Sequence, residues 1–282
     1  MKQYLYIPLL FIVVLFASCE ESVDLDLNSI EPRLVIDASI RDGYPCEVIL
    51  TKTRDYYDNS ICPTVSGAVI QIRDTLGNSN ILTEVSPGRY TIPYSPEEGG
   101  ILPGTLGLTN MKYILNVKVE GEEYVATATI PPTVPVNKLF IYDMSVADEH
   151  YYSPCVVFDD PLYERNYYYF ILYVNDMRMR SIYIDNDKFF NGLTSKNKIL
   201  FFDKEDNNDE ELKIGDYVTV EMQSLDKGAY TYYQSLFSVA AGGGTNPISN
   251  FTGDVLGCFK AYGVSEATIY GITWNDVYDE RQ

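Results

Sequence analysis

Alternation of apolar and polar residues with a period of two is the feature that most limits how this chain can fold. In Ala68-Val69-Ile70-Gln71-Ile72-Arg73, the set Ala68, Ile70 and Ile72 can face inward while Gln71 and Arg73 face water. Leu115, Val117 and Val119 alternate in the same way with Asn116, Lys118 and Glu120. Successive side chains of a strand point to opposite faces, so the pattern specifies half-buried β-strands. Similar short runs at Arg33–Ile40, Glu47–Thr53, Arg89–Pro93 and Tyr124–Ile130 are separated by turn residues. About six or seven strands at this spacing predict an N-terminal β-sandwich of immunoglobulin or transthyretin type over residues 31–132.

Pro131, Pro132 and Pro135 block both ladders and helices, and they mark the expected boundary. The second half, residues 136–282, reads as a Tyr-rich β domain. Its stretch Asn166–Asp176 is apolar on both faces, as a central strand is. Val218, Val220 and Met222 alternate with Thr219 and Glu221. One helix is expected near 226–241: Asp226 as N-cap, Tyr230, Tyr233 and Phe237 along one face, and Gly242-Gly243-Gly244 as the stop. Two last strands are expected at Val255–Val264 and Ala267–Ile272. The expected fold is therefore mainly β, a sandwich followed by a second β-rich domain with one or two short helices. At 282 residues, 46% of them apolar, the chain can give each half its own core.

The first residues bear on location. Lys2 precedes the apolar run Leu9–Phe16, and Ala17-Ser18 are small residues before Cys19. Residues 1–18 thus read as a lipoprotein signal peptide, too short for a membrane span. Cys19 is the expected lipid attachment site. Several acyl chains make a stable anchor, each buried CH₂ adding about 0.8 kcal/mol. Residues 19–30 read as an acidic linker, beginning Cys19-Glu20-Glu21. Cys19 after small residues resembles a bacterial lipobox, and the acids after it resemble the surface-export signal of such lipoproteins; the resemblance implies a lipid-anchored protein at the outer membrane, facing the cell surface. The formal charge of −19 argues against a nucleic-acid partner, because such partners need clustered Lys and Arg.

Export permits disulfides. Of the three possible connectivities for Cys46, Cys62, Cys155 and Cys258, the pairs 46–62 and 155–258 keep each bond within one half; buried thiols are the alternative. Candidate chemistry is sparse. His150, the single histidine, has no orienting partner in the sequence. Nucleophile-elbow, zinc-protease and phosphate-loop motifs are missing. Asp203, Glu205, Asn207 and Asp209 have calcium-loop spacing, but Asn208 replaces the required Gly and Ile214 the required Glu. No catalytic residue, metal site or cofactor is expected, and the chain reads as a non-enzyme. The suggestive feature is the supply of 25 tyrosines, whose flat faces and polar tips suit cores and binding surfaces alike. Tyr167–Tyr169 fit a core, whereas Tyr56, Tyr57, Tyr151 and Tyr152 are candidate binding aromatics.

The ordered features resemble a Bacteroidota lipoprotein family known as domain of unknown function 4249 (DUF4249). The resemblance runs over about residues 19–265. It is carried by Cys19 with acids after it, Glu31-Pro32-Arg33-Leu34-Val35-Ile36, Val65-Ser66-Gly67-Ala68-Val69 and Gly88-Arg89-Tyr90. It continues through Asp159-Asp160-Pro161, Asn166-Tyr167-Tyr168, Phe190-Asn191-Gly192, Tyr230-Thr231-Tyr232-Tyr233, Asn246-Pro247-Ile248-Ser249-Asn250 and Gly257-Cys258-Phe259. The resemblance implies an outer-membrane lipoprotein, often encoded near a TonB-dependent transporter, and implies no catalytic residue. The expected role is a non-catalytic binding or accessory component with membrane lipid, such a transporter, and a glycan or peptide as partners. A structural or adhesive Ig-like surface protein is the alternative, and a surface hydrolase comes third.

Overall fold

The computed structural model describes residues 31–55, 60–93, 104–146, 149–162, 164–198, 212–243 and 246–279. Cys19, the segments 1–18 and 19–30, Tyr56, Tyr57 and the acidic run 203–211 lie outside the described residues. The fold is mainly β with one α-helix among the described residues. Strands β1 (Leu34–Arg41), β2 (Glu47–Lys52), β3 (Val69–Asp74), β4 (Ser79–Ile81), β5 (Thr83–Ser86), β6 (Arg89–Thr91), β7 (Lys112–Val119) and β8 (Glu122–Thr129) come from the first segment. After the prolines follow β9 (Lys138–Val146), β10 (Glu149–Asp159), β11 (Tyr167–Val174), β12 (Met177–Arg178), β13 (Tyr183–Asn186), β14 (Thr194–Lys198) and β15 (Val218–Leu225). Helix α1 (Lys227–Ala240), β16 (Leu256–Ile269) and β17 (Val277–Asp279) complete the chain.

Three sheets result among the described residues. The largest has nine strands in the order β12-β11-β15-β16-β1-β2-β6-β5, with β13 also paired to β11. The others are β4-β3-β7-β8 and β14-β10-β9-β17. The alternation works as the sequence predicts. Ile70, Ile72, Leu115, Val117 and Val119 are buried in a first core between the β3/β7 sheet and the β1/β2 end of the large sheet. On β11, Tyr168, Phe170, Leu172 and Val174 enter a second core with Val156 and Phe158 of β10. Tyr169 and Ile171 enter a third, under α1. Apolar residues on both faces thus mark β11 as a strand covered on two sides.

The expected segments 31–132 and 136–282 meet in the large sheet. β1 pairs in parallel with β16, from Val35 beside Leu256 to Arg41 beside Tyr262. Phe251, Val255, Phe259 and Ala261 complete the first core. The proline segment itself is packed: Val134 is buried, its N–H donates to Ser224 Oγ, and the Val136 N–H donates to Ser265 Oγ. Gly263 lets this crossing happen, because a Cβ there would meet Thr133 Oγ1 at 2.1 Å.

Three expectations are corrected. The last two strands are one, β16, whose residues 256–262 pair with β1 and 262–269 with β15. Ser265 and Glu266 continue the ladder opposite Met222 and Glu221, since neither residue forces a turn. On α1, Asp226 caps as expected, accepting from the Ala229 N–H at 2.9 Å, and Tyr230 and Tyr233 pack on the sheet. Phe237 does not: it is 52% exposed, and Tyr232 packs inward in its stead. Neither disulfide is made. Cys46 lies in the first core while Cys62 is exposed; Cys155 is buried on β10 and Cys258 on β16, in a different sheet.

A candidate ligand cleft and its aromatic rim

Along β9, Ile141 is buried in the second core, so the alternation sends Lys138, Phe140 and Tyr142 to the opposite face of the β14-β10-β9-β17 sheet. Cys155 and Val157 of β10 lie in register with Phe140 and Lys138. β17 joins the free side of β9 in parallel and sets Tyr278 beside Tyr142. These residues, with Leu139, Asn275, Asp276 and Val277, line a cleft of about 450 Å³. That size falls within the usual ~300–1,000 Å³ range of small-ligand pockets. Its lining mixes Leu139, Phe140, Val157 and Val277 with Lys138, Asn275 and Asp276. The Lys138 ammonium lies 5.3 Å from the centroid of Phe140, a cation–π contact. Asp276 is fixed by Thr273, whose N–H and hydroxyl both donate to Asp276 Oδ2 at 2.8 and 2.6 Å. Those hydrogen bonds hold the Asp276 carboxyl below the usual range.

The segment that leads to β17 carries three exposed rings at four-residue spacing, Tyr270, Trp274 and Tyr278, which are 81%, 68% and 55% exposed; of these, Tyr278 lines the cleft. Each is met edge-on by a ring from another element. Tyr270 meets Tyr217 at 6.3 Å and 74°, Trp274 meets Tyr152 at 6.4 Å and 68°, and Tyr278 meets Phe140 at 5.8 Å and 75°. Edge-to-face contact is a favourable aromatic geometry worth about 0.5–1.5 kcal/mol beyond burial.

Of the expected binding aromatics, Tyr152 is half-buried against the second core, where its ring meets Trp274, on the face of β10 away from the cleft. Tyr151 points to the other face of the same strand and is 38% exposed. Tyr56 and Tyr57 lie outside the described residues. Sequence reasoning missed Phe140, Tyr270, Trp274 and Tyr278. The available signal was the run of aromatics at intervals of four, past the last long strand and without the alternation of a core element.

A second polar cluster lies on the helix-covered face of the large sheet. Lys260 of β16 donates to Gln223 Oε1 at 3.0 Å, and its ammonium lies 4.1, 5.7 and 5.9 Å from the ring centroids of Tyr262, Tyr233 and Tyr169. Burial pushes the lysine down to about 8, against the opposing pull of Asp37 and Glu221. Lys260 is half-buried, and the rings supply part of the solvation that water gives a lysine elsewhere, whereas Asp37 on the neighbouring strand is exposed. Among the described residues, no group of three or more His, Cys, Asp or Glu is placed to hold a metal ion, and no helix is long and apolar enough to cross a membrane.

The family model described as "Domain of unknown function (DUF4249)" matches residues 20–268. No curated protein matches the chain. The matched span ends just before Tyr270.

Proposed function

The chain belongs to the DUF4249 family, and on that premise we propose that it is a non-catalytic binding component, tethered by a lipid on Cys19 to the outer membrane and facing the cell surface beside a TonB-dependent transporter. The observation that carries the reading is the cleft lined by the rings of Phe140, Tyr142 and Tyr278 beside Lys138, Asn275 and Asp276. Binding needs a rigid scaffold and an amphipathic surface, and large exposed rings held by other rings provide both. The anchor rests on Phe16-Ala17-Ser18-Cys19 and the acidic residues after it. The captured ligand is a glycan or a peptide on its way to the transporter.

The test is co-purification from native outer membranes. The wild-type chain brings a transporter with it; the Cys19→Ala chain leaves the detergent phase and loses it. Replacing Phe140 and Tyr278 together by Ala removes ligand capture without changing fractionation. A Cys19→Ala chain that still fractionates with outer membrane sinks the anchor. A purified chain that hydrolyses a glycan or peptide, with activity lost on replacing one carboxylate, sinks the non-enzyme reading.

A further inference from the structure

Strand β9 is paired along its whole length by β10, from Lys138 to Val146. On its other side β17 covers only Ile141, Tyr142 and Asp143. The chain enters β17 from the turn Trp274–Asp276, so Lys138, Leu139 and Phe140 have no strand beside them on that side among the described residues. A strand bonded on one side turns the N–H and C=O of every second residue toward the open side, where they are a template for another extended chain. The cleft borders this open edge: Lys138, Leu139 and Phe140 line it, and so do Asn275 and Asp276 of the turn.

β17 shows what the edge accepts. It is a three-residue segment in parallel register, and its side chains divide between the two faces of the sheet. Val277 packs against the second core, whereas Tyr278 takes the cleft side, 5.8 Å from Phe140 and 6.3 Å from Tyr142 between ring centroids. An extended segment laid along Lys138–Phe140 divides its side chains in the same way. One that points to the cleft meets Phe140, Val157 and Tyr278, which suit a large apolar side chain. The repeat of a peptide backbone matches the open groups of the edge; a sugar chain has no such repeat. The net charge of −19 disfavours an acidic segment and leaves neutral and basic ones.

We propose that the open edge Lys138–Phe140 binds an extended, non-acidic segment of a partner polypeptide as an added strand, with one large apolar side chain of that segment entering the cleft. This deepens the binding reading above, rests on it, and selects a peptide over a glycan. Main-chain hydrogen bonds supply the affinity, and the rings of Phe140 and Tyr278 supply the choice of side chain.

The test is fluorescence anisotropy with the full mature chain. The probes are labelled, capped heptapeptides that alternate threonine and valine around a central phenylalanine, leucine or tyrosine, with lysine, serine or glutamate at both ends. Two further forms of each carry N-methyl groups on alternate amides, in one phase or the other, and a labelled neutral gluco-oligosaccharide serves as the sugar probe. Peptides with lysine or serine ends are expected to bind saturably, and those with glutamate ends more weakly. Methylation in the phase whose amides face β9 lowers affinity by about tenfold or more, and methylation in the other phase lowers it less. Tyr278→Ala lowers affinity by roughly tenfold, as removal of an interface aromatic commonly does, and its unchanged melting shows that the fold is intact. No saturable binding by any peptide overturns the proposal, as do equal effects of the two methylation phases and an affinity unchanged in Tyr278→Ala. A gluco-oligosaccharide that binds through Tyr278 where no peptide does also overturns it, while leaving the cleft as a binding site. Loss of transporter co-purification in the Cys19→Ala chain is read separately and does not depend on the ligand's class.

Discussion

The ring of Tyr233 on α1 lies flat over that of Tyr169 on β11, with 4.6 Å between centroids and 14° between planes. Tyr230 meets Tyr167 in the same way one turn earlier, at 4.7 Å and 32°. Two tyrosines of the helix thus sit on two tyrosines of one face of the strand. The helix is fastened to the large sheet by stacked rings together with aliphatic contacts of Ile171, Leu225 and Ala229, and the rings of Tyr233 and Tyr169 lie near Lys260.

Removing one stacked ring is expected to loosen α1 without unfolding the chain. Tyr233 is half-buried, so Tyr233→Ala costs about 2–3 kcal/mol, below the ~3–5 of a fully buried ring. Tyr233→Phe keeps the stack and changes stability by less than about 1 kcal/mol. Urea unfolding of the two variants checks this; equal losses in both place the stabilisation in the hydroxyl and not in the stack.

The strands were legible in the sequence because burial on one side leaves a period of two, as at Ile70/Ile72 and Leu115/Val117/Val119. The helix was legible because Asp226 caps it, but its buried face was not. The rings of Tyr230, Tyr232 and Tyr233 are chosen by where β11 and β16 place partners, which helix periodicity alone does not specify. Nor did local pattern indicate that β1 lies beside β16, since parallel partners need no shared turn and leave no local signature. The cleft was not legible: Tyr151 and Tyr152 stood out only as a dense tyrosine pair, while Tyr278, which lines the cleft, belongs to a segment with no strand or helix period.

Lys260 makes stability pH-dependent in the alkaline range. Its folded value is pushed down from 10.5 to about 8, so the unfolded chain binds more protons between those limits. Stability therefore rises with pH through about 8 to 9.5, before the buried tyrosines, whose values are pushed up, oppose it. In Lys260→Met the rise disappears. Midpoints of urea unfolding from pH 7 to 9.5 decide the matter, and a wild-type midpoint that stays level or falls refutes it.

Asp226 acts with the opposite sign. Burial pushes its carboxyl up to about 6, against the Ala229 N–H that it accepts from. The folded chain then holds the proton more tightly than the unfolded one, so this group's contribution is full below about 4 and fades as pH rises through about 6. Asn caps a helix as well as Asp and carries no charge, so Asp226→Asn is expected to match or exceed wild-type stability at pH 7. Asp226→Ala loses the cap, about 1 kcal/mol. Thermal melts at pH 4, 5, 6 and 7 separate the two effects.

The cysteines offer a direct chemical check. Cys62 is exposed, whereas Cys46 and Cys258 are buried with thiols pushed well up by burial, which keeps them protonated and slow to react. A maleimide reagent is expected to label Cys62 in the native protein, and Cys46 and Cys258 only after denaturant is added. Peptide mapping that finds Cys46 joined to Cys62 refutes the arrangement.

The last expectation concerns whether residues 20–132 fold alone. The alternation of β1 to β8 suggests a self-sufficient sandwich. In the assembled sheet, however, β1 lies between β2 and β16, and the core beneath it is completed by Phe251, Val255, Phe259 and Ala261. Asn250 ties this region further, its side chain both accepting from the Phe259 N–H and donating to the Phe259 carbonyl at 2.8 Å. Deleting residues 133–282 strips β1 of one partner, leaving its N–H and C=O groups on an open edge, and opens the core where two phenylalanines sat. Losing a buried Phe alone costs about 3–5 kcal/mol, a large part of the ~5–15 that holds a domain together. The truncated chain should therefore show no cooperative thermal transition and should associate through the β1 edge. A second form that appends residues 249–262 through a flexible linker restores the missing strand and is expected to recover the transition. A sharp melt from residues 20–132 without that strand would show that the first sandwich is independent of β16.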